Sequence, residues 1–216
     1  MTGLRVVLSD VNAKVVQAWM SAFAENPEVD IAKASILDQH VDAWVTPTNS
    51  AGRMDGGADA VIKRHLGAGI QTRVQRAIRT TFAGSLPIGS AVCVPSGAEN
   101  PKFLISTPTM TASAEDVRET LNTAMACVAA FQAIHMQNAR EPGSITSVAL
   151  VGLGAATGKV PPQVCANLMW AGYTLFQECS FDSYDELRAT VAAQLDDIET
   201  RPEQERVRIV PPVRRR

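Results

Sequence analysis

The chain has 216 residues, a hydrophobic fraction of 46% and a formal net charge of −2 at pH 7. This length and composition support one sizeable hydrophobic core, and the near-neutral charge provides no global field that would attract nucleic acid or a membrane surface. The sequence opens without the basic flank and apolar run of a signal peptide, and no apolar stretch is long enough to cross a bilayer, so we expect a cytoplasmic protein.

The four cysteines are scattered, and none lies in a C-x-x-C pair or near a histidine at metal-ligand spacing. This distribution argues against a zinc site and against a disulfide framework. We therefore expect no metal, no cofactor and four reduced thiols, at Cys93, Cys127, Cys165 and Cys179.

The first residues predict a strand followed by a helix. Residues 4–8 are a β-branched run, and Asp10 or Asn12 is placed to cap a helix with one apolar face. A second strand is expected over residues 29–34 and a third over residues 41–45.

The third strand runs into a polar loop that contains glycines, and then into a helix. Pro47 is expected to end the strand, and the loop that follows, residues 49–57 (the first loop), has no large apolar residue except Met54. Gly56 and Gly57 allow the backbone to approach a ligand closely, and the next helix aims its unpaired N–H groups back at the loop. Such an arrangement suits an anion, most often a phosphate.

Two helices are predicted after the first loop. Residues 60–82 have apolar positions at helical spacing, interrupted by Gly67 and Gly69. Three arginines lie three residues apart on one side of the second helix, at Arg73, Arg76 and Arg79. We interpret them as an exposed, solvated face, with a contact to phosphate or to a partner as the alternative.

Two strands and a long helix follow. Residues 87–94 and 102–106 predict strands, and residues 107–110 are expected to end the second of them. Ser113 and Asp116 are spaced as in a capping box, so a helix with a long apolar stripe is predicted to begin at Ser113.

The chain then repeats the pattern of strand, glycine-bearing loop and helix. Residues 145–150 become wholly apolar, as a buried parallel strand would, and lead into residues 152–158 (the second loop). A last helix is expected over residues 184–198. We expect one domain over residues 1–200, followed by a basic tail rich in proline and arginine over residues 201–216.

Both loops resemble those of a known family. The run TPTNSAGRMDGGADAVI, residues 46–62, resembles the strand, loop and helix of macro domains, which are ADP-ribose-binding modules. The run VALVGLGAATGKVPPQVCANLMWAGY, residues 148–173, resembles the other phosphate loop of that family. Together with the alternation of strands and helices, the resemblance implies a three-layer α/β/α sandwich with a mixed sheet of about six strands and ligand loops at the carboxyl ends of the strands.

The resemblance also implies a function. The chain would bind ADP-ribose or a related derivative, with the diphosphate between the helix after Gly57 and the second loop. Hydrolytic members use an Asn on the distal ribose and an Asp at the start of the helix, which correspond here to Asn49 and Asp59. Asp59 would position or activate water if it is ionised, with an ADP-ribosyl ester or ADP-ribose 1''-phosphate as the substrate. Asp55 replaces a glycine of the family, so it is either catalytic or an obstacle to phosphate.

The adenine end is where the chain departs from the family pattern. An acid usually follows the second strand and recognises the adenine amino group, but Ser35 stands in its place, with Asp38 close enough to substitute. Thr107 and Thr109 are further candidates for the pocket. The residues implied to contact the ligand are Ser35, Ile36, Asn49, Gly56, Gly57, Ala58, Gly152, Leu153, Gly154, Ala155, Ala156, Thr157 and Gly158.

Two other functional classes remain open for this chain. The first is a Rossmann-type NAD(P)-binding protein, in which a glycine-rich loop follows a strand and precedes a helix, as Gly152, Gly154 and Gly158 do here. Such a protein also has an acid about 20 residues further on, where Glu178 lies near the end of a possible strand over residues 174–177. The other class is a non-binding structural subunit of a larger assembly. The partner that the resemblance implies is ADP-ribose or an ADP-ribosylated small molecule or protein. The oligomeric state does not follow from the sequence, and the charge pattern argues against nucleic acid as a partner.

Overall fold

The computed structural model describes residues 3–179 and 181–191. Its strands are β1 (Arg5–Ser9), β2 (Val29–Ala32), β3 (Ala43–Asn49), β4 (Val92–Pro95), β5 (Phe103–Met110) and β6 (Ser147–Leu150). They form one six-stranded sheet in the order β2-β1-β6-β3-β5-β4. Neighbouring strands are parallel except β4 and β5, which are antiparallel, so the predicted mixed sheet is confirmed.

Helices cover both faces of this sheet, as predicted for a three-layer sandwich. They are α1 (Ala13–Ala22), α2 (Gly57–Leu66), α3 (Gly69–Phe82), α4 (Asn122–Arg140) and α5 (Pro162–Glu178). Helix α5 packs against α1 and α4, while α2 packs against α3 and β3. Residues 184–191 are also helical, and the rest of the predicted last helix and the whole basic tail lie outside the described residues. No helix in the described part of the chain is long and apolar enough to cross a membrane.

The central strands are apolar because they are buried on both faces. The backbone and side chains of Ala43, Trp44 and Val45 are 0% exposed, as are those of Val148, Ala149 and Leu150. A parallel strand between two helix layers gains free energy from burying every side chain, so its sequence is a continuous apolar run rather than an alternation. This explains why β3 and β6 were recognisable in the sequence.

Strand β3 continues past Pro47, so the prediction that this proline ends the strand is wrong. The pairing of β3 with β6 stops at Val45 and Leu150, but the pairing with β5 continues and places Pro47 opposite Thr107. Beyond Val45 the strand therefore pairs on one side, where a residue without an N–H group is tolerated. Strand β5 likewise continues to Met110, so residues 107–110 belong to the strand instead of ending it.

The long helix α4 begins at Asn122 and not at Ser113. Residues 111–121 form an irregular segment, which we call the cover segment. The Glu115 carboxylate accepts hydrogen bonds from the N–H groups of Thr111 and Ala112, at 2.7 and 3.2 Å, and such local bonds compete with helix formation. Val117 is buried without being helical, so its apolar character reflected packing and not a helical face.

Residues 174–177 lie inside α5, and Glu178 is the last residue of that helix. A Rossmann fold would place an acid after a strand at this point, where it binds a ribose. The interpretation as a Rossmann-type NAD(P)-binding protein is therefore wrong. All four cysteines are unbridged, and Cys127 and Cys165 are buried.

Candidate functional site

A cavity of about 360 Å³ lies at the carboxyl ends of the parallel strands. Its walls are formed by residues at the ends of β1, β2, β3, β5 and β6 or in the loops that follow them. Neighbouring strands are about 4.8 Å apart, so five adjacent strand ends span roughly 19 Å. The volume is typical of a small-molecule site, and the span suits an elongated ligand made of several linked groups.

Most of the predicted site residues meet at this cavity. Those that line it are Ser35, Ile36, Asn49, Asp55, Gly56, Gly57, Ala58, Asp59, Gly152, Gly154, Ala155, Ala156, Thr157 and Gly158. Leu153 does not line the cavity, and its expected contact with the ligand stays a prediction. Its side chain is fully buried, and its carbonyl accepts a hydrogen bond from the Thr123 hydroxyl at 3.0 Å, so Leu153 anchors the second loop to the core.

The first and second loops face each other across the cavity. A Cβ atom added to Gly57 would lie 3.4 Å from Thr157 Oγ1, and one added to Gly56 would lie 3.5 Å from the same atom. Gly57 also has a φ of +53°, a conformation that favours glycine. Helix α2 begins at Gly57 without a side-chain cap, so its first N–H groups are available to an anion between the loops.

The glycines of the second loop are needed for packing within the protein. A Cβ atom on Gly158 would lie 2.8 Å from the carbonyl oxygen of Gly154 and 2.7 Å from Val117 Cγ2. Gly154 has a φ of +78°, and its Cβ atom would lie 2.9 Å from Thr123 Oγ1. The N–H of Val117 donates to the Gly158 carbonyl at 3.0 Å. These contacts hold the cover segment against the second loop.

The side chain of Asn49 organises the first loop. Its Oδ1 accepts hydrogen bonds from the N–H groups of Ala51 and Arg53, at 3.1 and 3.2 Å. Its Nδ2 donates to the Ser113 hydroxyl at 3.1 Å, which connects the first loop to the cover segment. The amide therefore has protein partners on both ends, and its expected role on the distal ribose stays a prediction.

Asp59 lies in the first turn of α2 and is almost completely buried. Burial raises the pKa of its carboxyl group to about 8; the hydrogen bond from the Thr46 hydroxyl lowers it, the charge of Asp55 raises it, and the charge of Lys63 lowers it. The carboxyl group is therefore mostly protonated at pH 7. The ionised state on which the water-activating role depends is not the main state at neutral pH.

Asp55 lies at the mouth of the cavity and is partly exposed. Its Oδ2 is 2.9 Å from Arg53 Nη2, an ion pair in which both side chains are accessible to water. Because water screens this pair, the attraction is weak, and Arg53 does not cancel the negative charge that Asp55 brings to the first loop.

The end of the cavity that the family pattern assigns to adenine is lined by Ser35 and Ile36 but not by Asp38. The Asp38 carboxylate accepts from the Ser35 N–H at 3.2 Å, and the Ser35 hydroxyl accepts from the Leu37 N–H at 3.2 Å, which forms a capping box around a short 3-10 helix (Ile36–Asp38). Asp38 is therefore used for capping, and the idea that it substitutes for the family acid is wrong.

Asp10 is a site residue that the sequence interpretation treated only as a possible helix cap. It lines the cavity, and its Oδ2 accepts from the Gly152 N–H at 3.0 Å. Helix α1 is capped instead by Asn12, whose side chain accepts from the Lys14 N–H. The sequence did contain a signal for this position, because Asp10 directly follows a predicted strand and the carboxyl ends of parallel strands meet at one edge of the sheet.

Of the two threonine candidates, Thr109 lines the cavity and Thr107 does not. The Thr107 hydroxyl is buried beside the carbonyl oxygens of Ser90 and Ala126, at 3.2 and 3.1 Å, so its assignment to the pocket is wrong. The Thr109 hydroxyl is also buried, but within the described residues it has no hydrogen-bond partner. No group of three or more potential metal ligands occurs in the part of the chain that the structure describes.

A comparison with family models identifies the family of this chain. The family model "Macro domain" matches residues 45–169. A relative from Aquifex aeolicus (strain VF5), named "Uncharacterized protein", is 31% identical over 148 residues, which cover 66% of this chain and 78% of the relative.

Two solved structures have a similar fold. The macrodomain of Mycobacterium tuberculosis DarG has a TM-score of 0.55 and 21% identity, and the match covers 66% of this chain and 88% of that one. The Oceanobacillus iheyensis macrodomain with ADP has a TM-score of 0.54 and 14% identity, with coverages of 76% and 90%. At these identities the similarity concerns the fold.

Proposed function

Since the chain belongs to the macro domain family, we propose that it binds ADP-ribose or a related ADP-ribosyl derivative between its two loops. The observation that carries this proposal is the elongated cavity in which the two loops face each other beside the uncapped start of α2. The Oceanobacillus iheyensis macrodomain was solved with ADP, which supports a nucleoside diphosphate as a ligand of this fold.

The order of the strands suggests how the ligand lies. Ser35 and Ile36 follow β2 at one end of the cavity and would contact the adenine. Asn49 is at the end of β3, towards the other end of the cavity, and would contact the distal ribose. The diphosphate would then lie between Gly57 and the second loop, in reach of backbone N–H groups.

The charges around the cavity fit this arrangement when Asp59 is neutral. Among the described residues that line the cavity, the charged amino acids are three aspartates: Asp10, Asp55 and Asp59. A diphosphate would therefore be held by backbone N–H groups and the dipole of α2 rather than by a lysine or arginine. Protonation of Asp59 removes one negative charge next to the ligand, which favours binding at neutral pH.

An isothermal calorimetric titration of the full chain tests the binding proposal. We expect ADP-ribose to bind with a dissociation constant in the micromolar range, corresponding to about −8 kcal/mol. AMP should bind more weakly because it lacks the second phosphate and the second ribose. Heat from NAD without heat from ADP-ribose would contradict the proposal.

We also propose a hydrolytic activity towards an ADP-ribosyl ester or ADP-ribose 1''-phosphate. The observation that favours it is the position of Asp59, which lines the cavity from the first turn of α2 and is buried there, so that the pKa of its carboxyl group is raised to about 8. Water would attack the anomeric carbon, the bond from this carbon to the departing oxygen would break, and that oxygen would take the proton of Asp59. The proton that the attacking water loses would then return to the Asp59 carboxylate and restore the acid. Asp59 would thus act as an acid instead of the base expected from the family pattern.

The pH profile of turnover separates these two roles. An acid with a pKa raised to about 8 works in its protonated form, so turnover should fall as the pH rises through 8. A base would give the opposite slope. Asp59→Ala should lower turnover by about 10²-fold, with little change in affinity for free ADP-ribose. If the wild-type protein binds ADP-ribose but cleaves neither substrate, the binding proposal stands and the hydrolytic one fails.

A further inference from the structure

Helices α2 and α3 carry five basic residues, and after Asp59 in the first turn of α2 neither helix contains an acid. Residues 60–98 contain no Asp or Glu, although the whole chain has 22 of them. The same stretch contains five lysines and arginines: Lys63, Arg64, Arg73, Arg76 and Arg79. A chain with a net charge of −2 therefore has a local segment of charge +5.

We call these five side chains the basic face; one of them, Lys63, is half-buried and close enough to Asp59 for its charge to lower the pKa of that carboxyl group. None of them forms an ion pair within residues 3–179 and 181–191. Arg73 Nη1 donates to the Ser96 carbonyl at 2.6 Å, which fixes one guanidinium group while leaving its charge unpaired. Arg73, Arg76 and Arg79 are exposed and follow one side of α3 over a rise of about 9 Å. An exposed row of unpaired cations produces a local positive potential.

The basic face has none of the apolar anchors that protein partners require. The exposed large hydrophobic side chains of the described residues lie elsewhere, at Val11, Met20, Leu121, Val164 and Trp170. The core of a protein-protein interface is apolar and depleted of charge, whereas interfaces with nucleic acid are polar and strongly positive. The planar guanidinium group also matches the geometry of phosphate oxygens.

We propose that the basic face binds the phosphodiester backbone of a nucleic acid, without reading its sequence. This reverses the expectation from net charge, because the total of −2 hides the separation of charge within the molecule. Contacts to phosphate position a protein on nucleic acid but carry no base information, so binding should be independent of sequence and sensitive to salt.

The basic face lies next to the cavity without being part of it. A Cβ atom on Gly52 of the first loop would lie 2.6 Å from Ile78 Cδ1 of α3, and Gln75 Nε2 donates to the Ala51 carbonyl at 3.5 Å. None of the five basic residues lines the cavity. Nucleic-acid binding and ADP-ribose binding are therefore separable, and this inference does not rest on the proposed function.

Fluorescence anisotropy with labelled 20-nucleotide DNA, single-stranded and duplex, tests the proposal on the full chain. Wild-type protein should bind both forms regardless of sequence, with the logarithm of the association constant falling linearly with the logarithm of salt concentration. Arg76→Glu/Arg79→Glu is the test variant, because neither side chain makes a hydrogen bond or ion pair in the described structure that the fold would lose. We expect its affinity to fall at least tenfold and its salt slope on duplex to decrease by about 2, since each phosphate contact contributes roughly 0.9.

The matched control is Lys14→Glu/Lys33→Glu, which changes the net charge by the same amount at exposed positions near α1 and β2. It should keep most of the affinity, and both double variants should keep wild-type thermal stability and ADP-ribose affinity. Equal loss in the two variants would show a non-specific charge effect and overturn the proposal. So would the absence of binding at 50 mM salt, a salt slope of zero, or equally tight binding of poly-L-glutamate, which would assign the face to acidic proteins.

Discussion

At the scale of single residues, the site depends on polar groups that are buried between the sheet and its helices. Thr46 donates to Asp59, and the hydroxyls of Thr48 and Ser106 lie 2.9 Å apart on neighbouring strands. A charge at the position of Asp59 would have to leave water, so the group takes up a proton instead. Its motif identified Asp59 as a candidate site residue, but the pKa of Asp59 depends on side chains that the fold brings together.

The unpartnered hydroxyl of Thr109 makes a prediction for stability. In Thr109→Val a methyl group of similar shape replaces a buried hydroxyl that has no partner in the described residues. Because a buried unsatisfied group costs about 1 to 3 kcal/mol, the free energy of unfolding in urea should rise by about 1 kcal/mol.

Thr107→Val is the matched control on the same strand. Its hydroxyl lies within hydrogen-bond distance of the Ser90 and Ala126 carbonyls, so this variant should lose stability. A loss of stability in Thr109→Val as well would show that the Thr109 hydroxyl is not unsatisfied but has a partner, such as a bound water.

At the scale of elements, the placement of the first loop depends on how β3 is fixed beside β6. Asp42 precedes β3, and its Oδ2 accepts from the N–H and hydroxyl groups of Thr146, at 2.9 and 2.8 Å, and of Ser147, at 3.1 and 3.0 Å. Burial alone would raise the pKa of Asp42, but these hydrogen bonds and one from Lys102 outweigh it and lower the pKa to about 2. One ionised carboxylate thus joins the starts of two central strands.

Removal of this carboxylate should destabilise the sheet. We expect Asp42→Ala to lower the free energy of unfolding by roughly 1 to 3 kcal/mol at pH 7, because the exposed Thr146 and the half-buried Ser147 lose a charged acceptor of their hydrogen bonds. Since the folded-state pKa is lowered from 3.8, the wild-type advantage is complete above pH 4 and is lost as the pH falls towards 2. Denaturation in urea at pH 7 and pH 2.5 measures both effects.

Asp30→Ala serves as the comparison, because Asp30 forms an exposed pair with Arg5 and its removal should cost less than about 1 kcal/mol. Equal losses in the two variants would show that the Asp42 network does not fix β3 to β6.

The elements that sequence patterns predicted well are those whose pattern has a single physical cause. The continuous apolar runs of β3 and β6 arise from burial on both faces, and the break between α2 and α3 coincides with Gly67, whose φ is +85°. The predicted helix start at Ser113 failed because Ser113 and Val117 are used in tertiary contacts that a local pattern does not contain. The prediction that Pro47 ends β3 failed for a similar reason. A proline is tolerated at this position because the pairing of β3 with β6 has already stopped, which a local pattern does not contain.

At the scale of the whole molecule, the central claim is that two loops distant in sequence close around one elongated ligand. Their similarity to macro domain loops predicted which segments meet, and the sheet order explains why, because β6 lies directly beside β3. The contributions of Asp10 and the cover segment could not be read from those loops, since β1 and residues 111–121 reach the cavity only through the fold.

The most direct test is the midpoint of thermal unfolding of the full chain, measured with and without 1 mM ADP-ribose. A ligand that binds only the folded state, at about 100 times its dissociation constant, stabilises it by about 2.7 kcal/mol. For a domain of this size, that corresponds to a rise of about 5 to 10 °C. We predict such a rise with ADP-ribose and a smaller one with AMP at the same concentration, whereas an unchanged midpoint at 1 mM ADP-ribose would contradict the binding of ADP-ribose between the two loops.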